Sequence, residues 1–202
     1  MLDRHTRGVA ASTLDPVATW LADRSVGANY LTALGFVFGF GACGAIAYGQ
    51  WTLGLGLWLV NRLFDGLDGL VARKSEPSDL GGFLDLSADF AIYAGFVVAV
   101  AIALPHARLV SVVLLATYYL SGTAFLTWSG LVQKQASKPV HSEGERSLAF
   151  LPGLAEGTET IVVYCLICIV PSWAVPIMWT FAGVVLITAG QRIWWATKTL
   201  RT

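Results

Sequence analysis

The sequence predicts an all-α, polytopic membrane protein: six transmembrane helices preceded by a short helix lying on the membrane surface. Three observations carry this. The chain of 202 residues is 55% hydrophobic and only 13% charged, against the ~25% charged share of a soluble domain. Its apolar residues fall in six runs, near 30–49, 51–72, 82–104, 109–131, 150–170 and 174–197. Each approaches the ~20 residues that span a bilayer core. Of the 13 Lys and Arg, all but Arg62 and Arg108 fall in or near segments on one side of those runs, the asymmetry expected of cytoplasmic segments. An ordinary soluble globule and a disordered chain are both excluded. Acidic residues also number 13, so no net basic field invites a nucleic acid.

The elements follow in order. Residues 1–28 read as a cytoplasmic tail and interfacial helix. The opening MLDRHTRGVAASTLDP is polar and lacks the apolar core of a cleavable signal. The first span therefore serves as the membrane signal. Within 13–24, Val17, Trp20 and Leu21 alternate with Asp15, Asp23 and Arg24, as in a helix lying in the interface. A loosely ordered tail is the alternative. Residues 29–202 read as one six-helix membrane domain. The first span is glycine-rich, and Gly35 and Gly39 are four apart, which permits close helix approach. Connections at Gln50, at 105–108 and at 171–173 are short. The longer polar ones, after the second and fourth spans, fall on the cytoplasmic side with both termini. Lys134 and Lys138 suit anionic headgroups, and Trp173, Trp179, Trp194 and Trp195 suit interfacial belts. Cys43, Cys165 and Cys168 lie in apolar runs and read as packing residues.

The chemistry concentrates in residues 61–90, NRLFDGLDGLVARKSEPSDLGGFLDLSADF. Asp65, Asp68, Asp85 and Asp89 sit in or at the edge of apolar runs, where a central Asp costs roughly 2.5–3.5 kcal/mol. On a helix, Asp65, Asp68, Gly69 and Ala72 share one face, and Gly81, Asp85 and Asp89 share another. Asp79 falls off that face and reads as a solvated turn residue. Two antiparallel helices joined by a short turn bring the faces together at the cytoplasmic end. Four carboxylates converging there require cations. Oxygen ligands without His or Cys suit Mg²⁺ or Mn²⁺. The small residues leave room for a bulky group near the backbone, and Arg73 is placed to clamp phosphate oxygens. Metals, Arg and a groove of small residues together read as a diphosphate site. A structural Asp–Arg network through Arg62 is the plainer alternative.

The pattern Asp65-x2-Asp68-Gly69-x2-Ala72-Arg73-x7-Gly81-x3-Asp85-x3-Asp89 resembles the full motif of the CDP-alcohol phosphotransferase (phosphatidyltransferase) family, with every fixed position present. The resemblance implies an integral membrane homodimer of phospholipid biosynthesis in the cell (inner) membrane, with its active site open to the cytoplasm. It implies two divalent ions, Mg²⁺ or Mn²⁺, on Asp65, Asp68, Asp85 and Asp89, with Asp89 also the general base. Gly69, Ala72, Arg73 and Gly81 would line the CDP site. Asn29 and Thr32 resemble nucleotide contacts of the family, and a polar cap for the first span is an equal reading. The expected reaction moves a phosphatidyl group from a CDP-linked lipid, CDP-diacylglycerol, to a small alcohol and releases CMP. Two alternatives stay open: a soluble CDP-alcohol with diacylglycerol as acceptor, and a transporter with buried carboxylates.

Glu156 and Glu159 enter the fifth span three residues apart, on one helix face. With Arg146 they are the candidate acceptor-site residues. A structural polar network between helices is an equal reading.

Overall fold

The computed structural model describes residues 2–75, 78–135, 154–155 and 157–200. Seven α-helices run through them: α1 (Leu2–Asp23), α2 (Ala28–Ala47), α3 (Trp51–Lys74), α4 (Asp79–Ala103), α5 (Arg108–Gln135), α6 (Gly157–Ile169) and α7 (Ala174–Thr199). No strand occurs among the described residues. Short 3₁₀ turns, Pro105–Ala107 and Pro171–Trp173, lead into α5 and α7. Pro opens each, where its missing N–H costs nothing.

Among the described residues, four helices are long and apolar enough to cross a membrane: α2, α4, α5 and α7. The protein is therefore an all-helical membrane protein. α3 is long enough but carries Arg62, Asp65, Asp68, Arg73 and Lys74. Within the fifth expected span, 150–170, the described helix is the 13-residue α6; Leu154 and Ala155 form a bend instead, where the Ala155 amide donates to Thr188 Oγ1 at 2.8 Å. α5 runs on to Gln135, past the expected end at 131.

At the N-terminus, α1 extends from Leu2 with Pro16 inside it, so neither a helix confined to 13–24 nor a loose tail describes this segment. α1 packs against α3. There Ala18, Leu31, Leu67, Leu70 and Val71 are buried together beside Leu14 and Leu21, and Lys74 Nζ meets Asp15 Oδ1 at 2.7 Å. Burial of an apolar side chain is worth about 1.5–3 kcal/mol, so this cluster, rather than the exposed ion pair, holds α1 in place.

The helical hairpin of α2 and α3 turns at Gly49, whose φ of +75° is left-handed and suits glycine. The amides of Gly49 and Gln50 close the turn onto Ile46 and Ala45 carbonyls. α2 packs along both α3 and α4, and α5 along α7. At Gly39 α2, α3 and α4 come close together: a Cβ there would lie 2.9 Å from Asn61 Nδ2 on α3 and 2.9 Å from Ile92 Cδ1 on α4. The main core lies beyond the acidic ends of α3 and α4. Its centre is Trp58, Phe96 and Tyr164, with Phe96 and Tyr164 stacked at 3.8 Å. The three cysteines are free; Cys168 lies in that core and Cys43 and Cys165 pack against it.

Asp79 is the first residue of α4, not a turn residue. Ser78 caps that helix, its Oγ accepting from the Gly81 amide at 3.0 Å. An acidic residue in the first turn complements the helix dipole.

Candidate active site

α3 and α4 both project carboxylates into one pocket bounded by α2. The pocket is lined by Thr32, Gly35, Phe36, Asn61, Arg62, Asp65, Asp68, Asp85, Ala88 and Asp89. All four expected acids line it, but they divide. One oxygen from each of Asp65, Asp68 and Asp85 lies within 4.8 Å of the other two. Asp89 stands outside that trio, its Oδ1 accepting from Arg62 Nη2 at 2.8 Å.

The trio suits a hard divalent cation. Oxygens bound to one ion at 2.0–2.6 Å sit at most about 5 Å apart, and the observed separation falls inside that limit. Three carboxylates this close repel one another unless protonated or cation-bound. Asp68 is the most buried, 4% exposed, and is fixed by Thr32 Oγ1, which donates to its Oδ2 at 2.6 Å.

Arg62 is the buried cation of the pocket, its side chain 7% exposed. It reaches Asp65 Oδ2 at 3.6 Å as well as Asp89. Its Nε and Nη2 donate to Asn61 Oδ1 at 2.8 and 2.7 Å, and its Nη1 donates to Tyr93 OH at 2.9 Å. Asn61 Nδ2 in turn donates to the Gly35 carbonyl at 2.8 Å. An Asp–Arg network thus exists beside the acid trio, with Asp89 as its main carboxylate rather than Asp65 or Asp68.

The other expected residues lie around this centre. Gly69, Ala72 and Arg73 continue α3 beyond the pocket lining. Arg73 is exposed and folds back, so that a Cβ on Gly69 would be 3.7 Å from its Nη1. Gly81 meets Asn29: a Cβ there would lie 2.9 Å from Asn29 Oδ1. The N-cap of α2 is Gly27, so Asn29 and Thr32 are not caps; Thr32 instead serves Asp68. Glu159 is half-buried in the first turn of α6 and is not among the residues lining the acid pocket. Glu156 and Arg146 lie outside the described residues.

Sequence reasoning missed the roles of Asn61 and Tyr93. A polar Asn–Arg pair inside an apolar run was the available signal. Tyr93 gave none, because an aromatic residue in a span reads as packing.

A bundle of apolar helices with an acid pocket between two of them is an arrangement suited to a membrane enzyme that handles phosphate groups through divalent ions. Residues 26–189 match the CDP-alcohol phosphatidyltransferase family, and the chain belongs to that family. It is 35% identical over 206 aligned residues to the inner membrane protein YnjF of Escherichia coli K12, covering 100% of this chain and 98% of that one. It is 36% identical to the archaetidylinositol phosphate synthase of Methanothermobacter thermautotrophicus over 84 residues, 41% of this chain and 42% of that one. In fold it resembles the Mycobacterium tuberculosis phosphatidylinositol phosphate synthase PgsA1 with CDP-DAG bound, at a TM-score of 0.70 and 20% identity, covering 90% of this chain and 92% of that one. The same enzyme in complex with manganese and citrate gives 0.69 at 20% identity over 90% and 87%.

Proposed function

We propose that this transferase moves a phosphatidyl group from CDP-diacylglycerol to a small alcohol and releases CMP. One observation carries the reading: three carboxylates close enough to share a divalent ion, with a fourth held beside them in the same pocket.

Asp65, Asp68 and Asp85 would hold the divalent ions, Mg²⁺ or Mn²⁺; Asp89, which the family resemblance also counts as a ligand, stands outside this trio against Arg62. When bound, such ions neutralise charge on the transferred phosphoryl and on the departing nucleotide. Thr32 fixes the rotamer of Asp68, as outer partners of metal ligands do. Asp89 acts as general base, because a neutral hydroxyl needs a nearby proton acceptor. Its Oδ1 is engaged by Arg62, which leaves Oδ2 to take the proton. The alcohol oxygen then bonds to the lipid-bearing phosphorus as the bond to the CMP oxygen breaks. A single in-line displacement of this kind inverts the phosphorus.

Gly69, Ala72, Arg73, Gly81 and Asn29 flank the nucleotide, with Arg73 supplying fork geometry for phosphate. Glu156, Glu159 and Arg146 are assigned to the acceptor side. The proposed topology adds α3 and α6 to the four apolar helices, giving six spans in residues 29–202. α1 then rests on the inner leaflet, and both termini and the site face the cytoplasm of the cell membrane. Arg24, Arg73, Lys74 and Lys198 at one end of the helices and Arg108 at the other support this orientation. The working unit is a homodimer, as the family resemblance implies.

The test supplies purified protein in vesicles with labelled CDP-diacylglycerol or a labelled soluble CDP-alcohol, plus Mn²⁺ and a panel of glycerol, serine, inositol and glycerol phosphate. CMP release from the lipid donor alone, reduced to a small residual rate in Asp89→Asn, is expected. Release only from the soluble donor would reverse the donor assignment. No release from either would overturn the proposed reaction.

A further inference from the structure

Arg62 is fixed from three directions that do not involve Asp89. Asn61 accepts from two of its nitrogens, Tyr93 OH from a third, and the guanidinium carbon lies 4.7 Å from the Trp58 ring centroid and 5.0 Å from that of Tyr93. Asn61 is itself tied to the α2 backbone at Gly35. A guanidinium is a rigid planar fork, so these contacts determine where its two remaining N–H bonds point: one on Nη1, whose nitrogen lies 3.6 Å from Asp65 Oδ2, and one on Nη2. The Nη2 donor meets Asp89 Oδ1 at 2.8 Å. Asp89, 27% exposed against 7% for Arg62, is the less buried partner of the pair. It is also the one acid of the four outside the trio.

We infer that Arg62 is a positioning residue for catalysis: it holds Asp89 apart from the cation-binding carboxylates and aims its second oxygen at the acceptor hydroxyl. This rests on the transferase reading above and adds a division of labour among the acids. A merely structural ion pair predicts something different, because losing it would disturb the pocket whether or not Asp89 carries a charge.

The experiment compares wild type, Arg62→Lys, Tyr93→Phe, Asp89→Asn and the Arg62→Lys/Asp89→Asn double variant in vesicles. Mn²⁺ binding in the presence of CDP is followed by electron paramagnetic resonance. CMP release from radiolabelled CDP-diacylglycerol is timed long enough to count residual turnover. Lysine keeps the charge but lacks the fork. Misplacing a catalytic group costs on the order of tenfold to a hundredfold. Arg62→Lys is expected to lose about that much kcat while KM for the donor and Mn²⁺ affinity stay within about threefold. Tyr93→Phe loses less, in the same parameter. In the Asp89→Asn background Arg62→Lys is expected to cost no more than about twofold, since residues acting as one unit are non-additive. An equal loss in both backgrounds, Mn²⁺ affinity falling in step with kcat, or unchanged kcat would each overturn the inference. An inactive wild type would instead defeat the transferase reading.

Discussion

Thr32 on α2 and Asp68 on α3 are joined by a 2.6 Å hydrogen bond, the threonine hydroxyl donating to Oδ2. The same hydroxyl oxygen lies 3.2 Å from the Ala28 carbonyl. Its single proton favours the carboxylate, because charge-assisted bonds are shorter and stronger. Removing an outer partner of a metal ligand typically costs 10–100-fold in metal affinity. Thr32→Val is expected to weaken Mn²⁺ binding by about tenfold, and Thr32→Ser to preserve it. Paramagnetic titration of both variants checks this. Intact Mn²⁺ affinity with a raised donor KM would make Thr32 a nucleotide contact instead.

Chelation of divalent ions is expected to abolish CMP release, and Mn²⁺ or Mg²⁺ to restore it. Asp68→Asn keeps the shape of the side chain while removing one charge from the trio. It should raise the ion concentration needed for half-maximal rate by at least about tenfold, since ligand charge sets affinity for hard cations. Titrating activity against free Mn²⁺ in both proteins gives the answer. An unchanged requirement would exclude Asp68 as a ligand.

Gly39 is where three helices meet closely. An added methyl would lie 2.9 Å from both Asn61 Nδ2 and Ile92 Cδ1. Overpacking of this kind costs about 1–3 kcal/mol, so Gly39→Ala should lower the thermal midpoint measurably. Gly44, on the same helix, has nothing within 4 Å of an added Cβ. Gly44→Ala is expected to be neutral or to stabilise by about 0.5–1 kcal/mol. Paired melting curves in one detergent compare the two.

Tyr164 is fully buried and donates to the Tyr93 carbonyl at 2.8 Å, while its hydroxyl lies 3.0 Å from that of Tyr118. Tyr164→Phe leaves buried acceptors short of a donor, at about 1–3 kcal/mol. Stability should fall while donor KM stays unchanged. A raised donor KM would move the tyrosine chain into substrate binding.

Orientation is checked by single-cysteine labelling in a background where Cys43, Cys165 and Cys168 are replaced by alanine. His106→Cys should react with an impermeant maleimide added to intact cells. Ser75→Cys should react only after permeabilisation. The opposite pattern would invert the topology.

The membrane class, the helix pattern and the acid-bearing segment are legible in the sequence because each rests on local chemistry. Apolar runs report the solvent around them, and the spacing of Asp65, Asp68, Asp85 and Asp89 reports which helix face each occupies. Helix ends were less legible. α1 is held because Ala18 and its neighbours bury against α3, and a contact between segments leaves no periodic trace in either alone. Asp79 joined α4 because Ser78 caps it, a geometry that depends on where the turn releases the chain.

What the sequence alone could determine was therefore a set of faces: which residues lie in the membrane, and which acids share a side of a helix. Only the packing of α2, α3 and α4 decided how those faces divide the work. It gathered Asp65, Asp68 and Asp85, gave Thr32 to Asp68, and set Asp89 against Arg62. The reason is physical. Periodicity fixes the direction of a side chain about its own helix axis, whereas a 2.8 Å contact between helices depends on their rotation and depth relative to one another, which close approaches such as that at Gly39 establish.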